Sequence, residues 1–396
     1  MNAWTWIKQR PLGLTLAAAG LAIPTSVGGA SALLGLAFLT GLLTGTYRSQ
    51  WRALLAHPLA GPALALFAWL LVGCLHGPAD WSQALDDVRK YRELLYLLLL
   101  LPLFLDARWQ RWALYAFLAA MYLTLLLSLA KAWGWAPELG KTAGEFVIFK
   151  NRITQNTLMA LTAYWTALRL LDGGPRRFWW ALPLALMAYD IFFLVGGRTG
   201  HLVFLVLLVL LLFQRYRWRG LAAGILAAAL LAGSLYLGSD IVRERLQEVE
   251  QESSAQGELT SSALRIRYLK NSLDLVLERP LLGFGTGAFS SAYQDWVAPR
   301  GAADPPTSNP HNEFLRLGVT GGLTGMGLFI WLLLAQWRCA DRLAPQQRAL
   351  AQALVATMAV GCLFNSFLYD HTEGHLWAFL SAVLYAPLLQ PEPPAP

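Results

Sequence analysis

The chain has few charged residues and few cysteines for its length. Only 14% of its 396 residues are Asp, Glu, Lys or Arg, whereas a soluble globular protein carries roughly a quarter. This scarcity excludes an ordinary soluble domain, and the 56% hydrophobic content indicates a membrane protein. The three cysteines, Cys74, Cys339 and Cys362, lie in or beside apolar segments without metal-type spacing. We therefore expect neither a disulfide framework nor a zinc site, and we interpret each cysteine as a small core residue.

Long polar stretches are also rare, and long apolar runs occupy most of the chain. A bilayer needs about 20 apolar residues per helix. Windows bounded by charges, glycine and proline predict about twelve spans, so the predicted fold class is an all-α polytopic membrane protein with one large helical periplasmic loop. The first run follows a basic start and is interpreted as a retained helix, and the fourth is short and could be partly re-entrant. The predicted spans are 12–28, 31–47, 59–76, 93–106, 111–135, 152–171, 178–195, 199–214, 220–238, 314–337, 349–369 and 374–390.

The positions of Lys and Arg predict the orientation of these spans. Short, nearly acid-free connections on one side hold 14 of the 31 Lys and Arg residues, which is typical of cytoplasmic loops. These loops also account for most of the +7 net charge, so no nucleic-acid partner is expected. Both termini then lie in the cytoplasm, and the chain divides into helices 1–9 (1–238), a periplasmic cap (239–312) and helices 10–12 with a short tail (313–396). The cytoplasmic cations are Lys8, Arg10, Arg48, Arg52, Arg108, Arg111, Arg176, Arg177, Arg215, Arg217, Arg219, Arg338, Arg342 and Arg348.

The long outer loop has an organisation of its own. Residues 239–252 are polar and favour a helix, and residues 261–280 predict an amphipathic helix. Its apolar stripe is expected to contain Leu264, Tyr268, Leu269, Leu273, Val276 and Leu277. The glycines of "GFGTGAF" lack the preceding strand and the Lys-Ser/Thr ending of a phosphate-binding loop, so they predict a turn after this helix.

Basic residues on the predicted outer face are unexpected and come from four separate segments. Snorkelling to lipid phosphates is one explanation. The other is a diphosphate site at the outer membrane interface, because a diphosphate requires several fixed cations and the arginine fork binds phosphate oxygens bidentately. The residues are Lys90, Arg92, Lys150, Arg152, Arg198, Arg265 and Arg267.

A metal ion could neutralise a diphosphate instead, but the sequence offers poor ligands for one. The outer face has no Asp-x-Asp pair, and Asp86–Asp87 and Asp304 are weak candidates. His371 and His375 are four residues apart, which is metal-ligand spacing on one helix face, but Gly374 makes a continuous helix doubtful there. We therefore expect no metal and no other cofactor.

His311 lies where the loop returns to an apolar helix, in "NPHNEFLRLGVTGG". Asn309 is a good N-cap and Pro310 suits the first helical position, which places His311 in the first turn. The positive helix end and nearby arginines disfavour the protonated ring, and a general base must be neutral. A histidine that only hydrogen-bonds a neighbouring loop is the alternative.

Three motifs together resemble the O-antigen ligase and polymerase superfamily. They are "HNEFLRLGVTGG" (311–322), the Arg-rich helix leading into a Pro-x-x-Gly-x-Gly turn in "ALRIRYLKNSLDLVLERPLLGFGTGAF" (263–289), and "GGRTG" (196–200). The last is similar to the family's short Ser/Gly-Arg-Gly motif, from which Gly197 and Thr199 depart slightly.

The resemblance implies a ligase of the bacterial inner membrane whose active site faces the periplasm. Such enzymes move a glycan from undecaprenyl diphosphate to the lipid A–core, and their partners are these two substrates and membrane lipids. On this resemblance Arg198 and Arg265 would bind the diphosphate and His311 would activate the acceptor hydroxyl. The remaining outer cations and Asn312 would support substrate binding. Transfer would proceed by one displacement with inversion and without a metal.

Three other functions stay open. An O-antigen polymerase would use a second lipid-linked glycan as acceptor. An O-linked protein glycosyltransferase of the same superfamily would modify Ser or Thr, and its chains are often longer than this one. A transporter for lipid-linked sugars needs ionisable residues along a path through the membrane, where Asp190 and Lys131 are the few candidates.

Overall fold

A computed structural model of the chain describes residues 3–136, 138–139, 145–172, 174–238, 261–299 and 305–389. Every regular element among these residues is helical, which confirms the all-α prediction. The helices are α1 (Ala3–Thr25), α2 (Val27–Leu43), α3 (Thr46–Ala56), α4 (Ala60–Gly73), α5 (Trp81–Lys90), α6 (Glu93–Leu100), α7 (Ala107–Ala132), α8 (Arg152–Leu171), α9 (Ala181–Tyr189), α10 (Arg198–Gly238), α11 (Ser261–Glu278), α12 (Phe289–Val297), α13 (Glu313–Ala340), α14 (Pro345–Phe364) and α15 (His371–Tyr385).

Five segments in the described part of the chain are long and apolar enough to cross a membrane. A sixth is possible if α2 and α3, which meet at a bend of 102°, form one broken span. The predicted count of about twelve spans is therefore not confirmed and stays a prediction. The short fourth segment matches an apolar helix over Glu93–Phe104. The five segments are Ala107–Ala132, Arg177–Leu194, Arg198–Ser234, Glu313–Ala340 and Pro345–Phe364.

Helix α10 reverses direction at Arg217, where φ is 56° and ψ is −135°. A Cβ atom added to Gly224 would lie 2.9 Å from the Cα of Val209, so the residues after the break pack closely against those before it. The two predicted segments 199–214 and 220–238 are thus the two arms of one broken helix. Because glycine has no side chain, Gly224 permits the close approach of the arms.

One apolar core runs through the helix bundle, and a second, smaller core lies in the cap formed by α11, α12 and the intervening turn. The predicted amphipathic helix is confirmed as α11, but its stripe is partly wrong. Leu275 and Val276 are buried in the smaller core, where Val276 packs against Gly318 of α13, whereas Leu273 and Leu277 are 49% and 65% exposed. The buried face follows the packing of α12 and α13, which the pattern of α11 alone does not specify. The predicted polar helix at 239–252 lies outside the described residues.

The cap is attached to the bundle at a break in α13. Gly322 has φ 67°, and the turn of residues 280–287 packs into the break. Phe284 N donates to the carbonyl of Val319 over 2.8 Å, a carbonyl that a continuous helix would use internally. A Cβ at Gly322 would lie 2.3 Å from the carbonyl oxygen of Leu281. The glycine-rich segment is therefore a docking turn, as predicted, and the break in α13 holds the cap over one end of the bundle.

Cysteines and buried charge fit the interpretation of a packed interior. Cys339 and Cys362 are buried and Cys74 is half-buried, and all three are free thiols.

Asp190 is fully buried and accepts a short hydrogen bond from the Ser128 hydroxyl. Its carboxyl group is thus part of a side-chain contact between α7 and the segment after α9.

Candidate active site

The first turns of four helices, α8, α10, α13 and α15, meet beneath the cap. Asn365 Nδ2, at the end of α14, donates to Thr199 Oγ1 at the start of α10 over 2.8 Å, and Leu368 N, just before α15, donates to Glu313 Oε2 at the start of α13 over 3.1 Å. The Thr154 hydroxyl at the start of α8 forms a short hydrogen bond with Glu373 in α15. Helix N-termini carry partial positive charge, so their convergence favours an anion at this end of the bundle.

Three of the predicted arginines lie together with His311 at this junction. Arg152 begins α8, Arg198 begins α10, and Arg265 reaches the junction from α11. Burial lowers the pKa of the Arg265 guanidinium, and the charges of Arg198 and Arg152 lower it further. The Glu145 carboxylate lies 3.4 Å from the Arg152 guanidinium and compensates part of this positive charge, and an anionic ligand would relieve the repulsion that remains.

His311 is held in a strained turn beside Arg265. Its φ is 54°, and its backbone N–H donates to the Asn309 side-chain oxygen over 2.9 Å. The imidazole lies nearly parallel to the Tyr268 ring, with a centroid distance of 6.5 Å and an interplanar angle of 25°. Burial, followed by the charge of Arg265, lowers the pKa of His311 to about 4. The ring is therefore neutral at pH 7 and can accept a proton.

The predicted helix start at Asn309 is wrong. Helix α13 begins at Glu313, and its N-cap is Asn312, whose Oδ1 accepts from Leu315 N over 2.9 Å. Asn309 caps the preceding turn instead, so His311 lies two residues before the helix. The Asn312 amide also donates to the carbonyl of Leu363 over 3.0 Å. Because both the oxygen and the nitrogen of the Asn312 side chain bond to the protein itself, the geometry supports a role in positioning His311 more than direct substrate binding.

The other predicted cations form a second group around the turn Tyr369–Thr372. Lys90 Nζ donates to the Tyr369 hydroxyl over 2.7 Å, and Lys150 Nζ donates to Thr372 Oγ1 over 3.3 Å. Arg92 contacts the His371 ring at 2.5 Å. The structure thus divides the single predicted cluster into two neighbouring groups of cations.

Arg267 lies on a different face of α11 from Arg265. It is half-buried and lies two residues after Arg265, about 200° further round the helix. Its predicted role in substrate binding stays a prediction.

A buried ion pair supports the loop that carries His311, and the sequence analysis missed it. Arg316 in α13 donates to Asp87 Oδ1 over 3.0 Å and to the carbonyl of Ser308 over 2.9 Å. The Tyr369 hydroxyl donates to the same carboxylate oxygen over 2.7 Å. The sequence did contain a signal for this ion pair. Arg316 is a charged residue inside the apolar helix pattern of "HNEFLRLG", and a charge that becomes buried requires a partner.

Glu93, His371 and His375 form the only group of possible metal ligands in the part of the chain that the structure describes. Helix α15 continues through Gly374, so the doubt raised from that glycine was wrong and the two histidines share a helix face. The Arg92 guanidinium, however, lies 3.6 Å from Glu93 Oε1 and already contacts His371. A cation therefore occupies the approach to these ligands, and the arrangement fits an Arg–Glu–His contact better than a metal site.

Comparison with known proteins gives one family. No curated protein matches the chain. Residues 182–330 match the family model described as O-antigen ligase. That segment contains Arg198, Arg265 and His311, whereas Arg152 and the second group of cations lie outside it. The matched segment also contains all three motifs, so the match confirms the resemblance that was drawn from them.

Proposed function

We propose that the protein is an O-antigen ligase that moves a glycan from undecaprenyl diphosphate to a lipid A–core hydroxyl on the periplasmic face of the inner membrane. One observation carries the proposal: a histidine with a pKa of about 4 lies beside Arg265, which itself lies near Arg152 and Arg198. A neutral base and a cluster of fixed cations are the two groups that this transfer requires.

In the proposed reaction the acceptor oxygen attacks the anomeric carbon of the donor. The hydroxyl proton passes to the His311 ring as the new C–O bond forms. The bond between the sugar and the diphosphate breaks, and undecaprenyl diphosphate leaves with the electron pair. Attack opposite the leaving group inverts the anomeric centre, and Arg198, Arg265 and Arg152 neutralise the charge that develops on the diphosphate.

The test is a product assay with purified protein in detergent. It contains undecaprenyl-diphosphate glycan, lipid A–core and a chelator. Wild-type protein should form glycan-bearing lipid A, and His311→Ala should lose at least about 100-fold in rate, the lower range for a general base. His76→Gln is the matched control, since His76 lies in the loop after α4 and bonds the carbonyls of Val72 and Leu282.

The arginines are tested by donor binding. Arg198→Gln and Arg265→Gln should each weaken binding of the diphosphate by about tenfold or more, because each removes a charge-assisted hydrogen-bond donor. Unchanged binding in both variants would show that the arginine cluster does not hold the donor. If the glycan lengthens on its own carrier while lipid A stays unmodified, the protein is a polymerase and only the acceptor assignment fails.

A further inference from the structure

A polar cavity of about 240 Å³ lies next to the arginine cluster. It is lined by Asn151, Ile153 and Thr154 at the start of α8, by Asn365, and by residues 370–373 at the start of α15. Pockets that enclose drug-sized ligands measure roughly 300–1,000 Å³, so this cavity suits a smaller polar group such as one sugar residue.

The cavity adjoins the proposed reaction centre through two consecutive residues. Asn365 lines the cavity and donates to Thr199, the neighbour of Arg198. The Ser366 hydroxyl donates over 2.8 Å to Asn309 Oδ1, the same atom that accepts from the backbone of His311. A ligand in the cavity would therefore be separated from Arg198 and His311 only by the hydrogen bonds that Asn365 and Ser366 make.

Asp370 gives the cavity a carboxylate without a partner. This residue is at the N-cap position of α15, yet its side chain does not cap the helix. Its carboxylate forms no hydrogen bond or ion pair with any residue that the structure describes. Burial raises the pKa of Asp370 to about 6, although the charges of Arg316 and Lys90 oppose the shift. A half-buried carboxylate of this kind is stabilised when a ligand hydroxyl donates to it.

The remaining wall of the cavity is held by internal hydrogen bonds. Thr154 bonds Glu373, and Asn151 Oδ1 accepts from the backbone N–H groups of Ile153 and Thr154 over 2.9 Å each. The second group of cations lies along the same turn, where Lys150 donates to Thr372. The cavity thus combines a fixed polar wall with a rim of positive charge.

We propose that this cavity is the acceptor pocket and binds a sugar residue whose hydroxyl groups donate to Asp370, with Lys90, Arg92 and Lys150 facing an anionic substituent of the acceptor. The inference rests on the proposed function, because it assigns the second substrate of the same reaction. It also gives a role to the second group of cations, which contact Tyr369, His371 and Thr372.

The experiment separates acceptor binding from donor binding in the full-length protein. Asp370→Asn is compared with wild type for the KM of lipid A–core and the KM of undecaprenyl-diphosphate glycan. We expect the acceptor KM to rise about tenfold or more, as for the loss of one charge-assisted hydrogen bond, while the donor KM changes by less than about twofold. Asp86→Asn is the matched control, since Asp86 is exposed on α5 and pairs with Arg89 at 2.7 Å.

A second variant keeps the inference testable if Asp370→Asn does not fold. Thr372→Phe fills the cavity from a partly exposed position and should also raise the acceptor KM alone. A rise in the donor KM with an unchanged acceptor KM, or no change in either, would overturn the assignment. If wild-type protein uses a second carrier-linked glycan and never lipid A, the proposed function fails, and the same two KM values measured with that acceptor still decide the inference.

Discussion

The pKa of His311 predicts that glycan transfer tolerates acid far better than an ordinary histidine base would allow. With a pKa of about 4, about 90% of the His311 rings stay neutral at pH 5, whereas a histidine at the usual 6.5 would be only about 3% neutral. At pH 5 the neutral fraction of the ring therefore differs about thirtyfold between these two pKa values. With lipid A–core saturating, so that protonation of Asp370 with its pKa of about 6 does not limit acceptor binding, lowering the pH from 7 to 5 should therefore reduce the donor kcat/KM by only about 10%.

The surroundings of His311 determine the direction in which its pKa, and therefore the acid limit of activity, is shifted. Burial and the neighbouring Arg265 charge both disfavour the protonated ring, so the neutral form persists until the pH approaches 4 and activity is lost only below that value. The assay is kcat/KM at low donor concentration between pH 4 and 8, because this quantity reports the free enzyme. Thermal unfolding at pH 5 controls for loss of protein. An acid limb with its midpoint near pH 6.5 would refute the description of His311 as a buried base beside Arg265.

Three further predictions concern the framework of the site, each measured as thermal unfolding in detergent. Gly322→Ala should destabilise the protein by about 2 kcal/mol or more, because its φ is 67° and the new Cβ would meet a carbonyl of the docked turn. Gly327→Ala is the control and should leave the stability unchanged, because a Cβ there meets nothing within 4 Å. Asn312→Ala should cost about 1 kcal/mol or more through the lost N-cap and the lost bond to the Leu363 carbonyl. Asn312→Ser, which caps without placing a charge beside that carbonyl, should restore the capping part, so equal losses would argue against capping. Asp87→Leu should cost about 3–5 kcal/mol of stability by leaving Arg316 buried without its partner. The double variant Asp87→Leu/Arg316→Met should recover part of this loss. No recovery would mean that the ion pair is not the cause of the loss.

Much of the candidate site could be predicted from local motifs. Arg198, Arg265 and His311 each stand in a short pattern that lies within the segment matched by the family model, and the structure brings them together at one end of the bundle. The helix start near His311 was predicted three residues early. Asn309 and Asn312 are equally good caps by residue type, and the hydrogen bond from Ser366, 57 residues later in the chain, holds Asn309 in the turn.

The second group of cations shows what local patterns cannot provide. Lys90, Arg92 and Lys150 were predicted as support for one diphosphate site, but each contacts the turn of residues 369–372. The Asp370 carboxylate, which forms no hydrogen bond with any residue that the structure describes, was not predicted at all. Its importance depends on the absence of a cap bond and on a cavity formed by helices more than 200 residues apart in the chain.

The sequence by itself determined the all-helical membrane class, the amphipathic helix of the cap, the glycine turn and the basic residues of the proposed donor site. These features depend on composition, periodicity and residue type, which act over a few neighbouring residues. Only the tertiary structure decided which face of α11 is buried, where α13 breaks to receive the cap, and how the cations divide between two adjacent sites. Those features depend on contacts between distant segments, because a buried charge, a docked turn or a cavity wall is defined by the partner that packs against it.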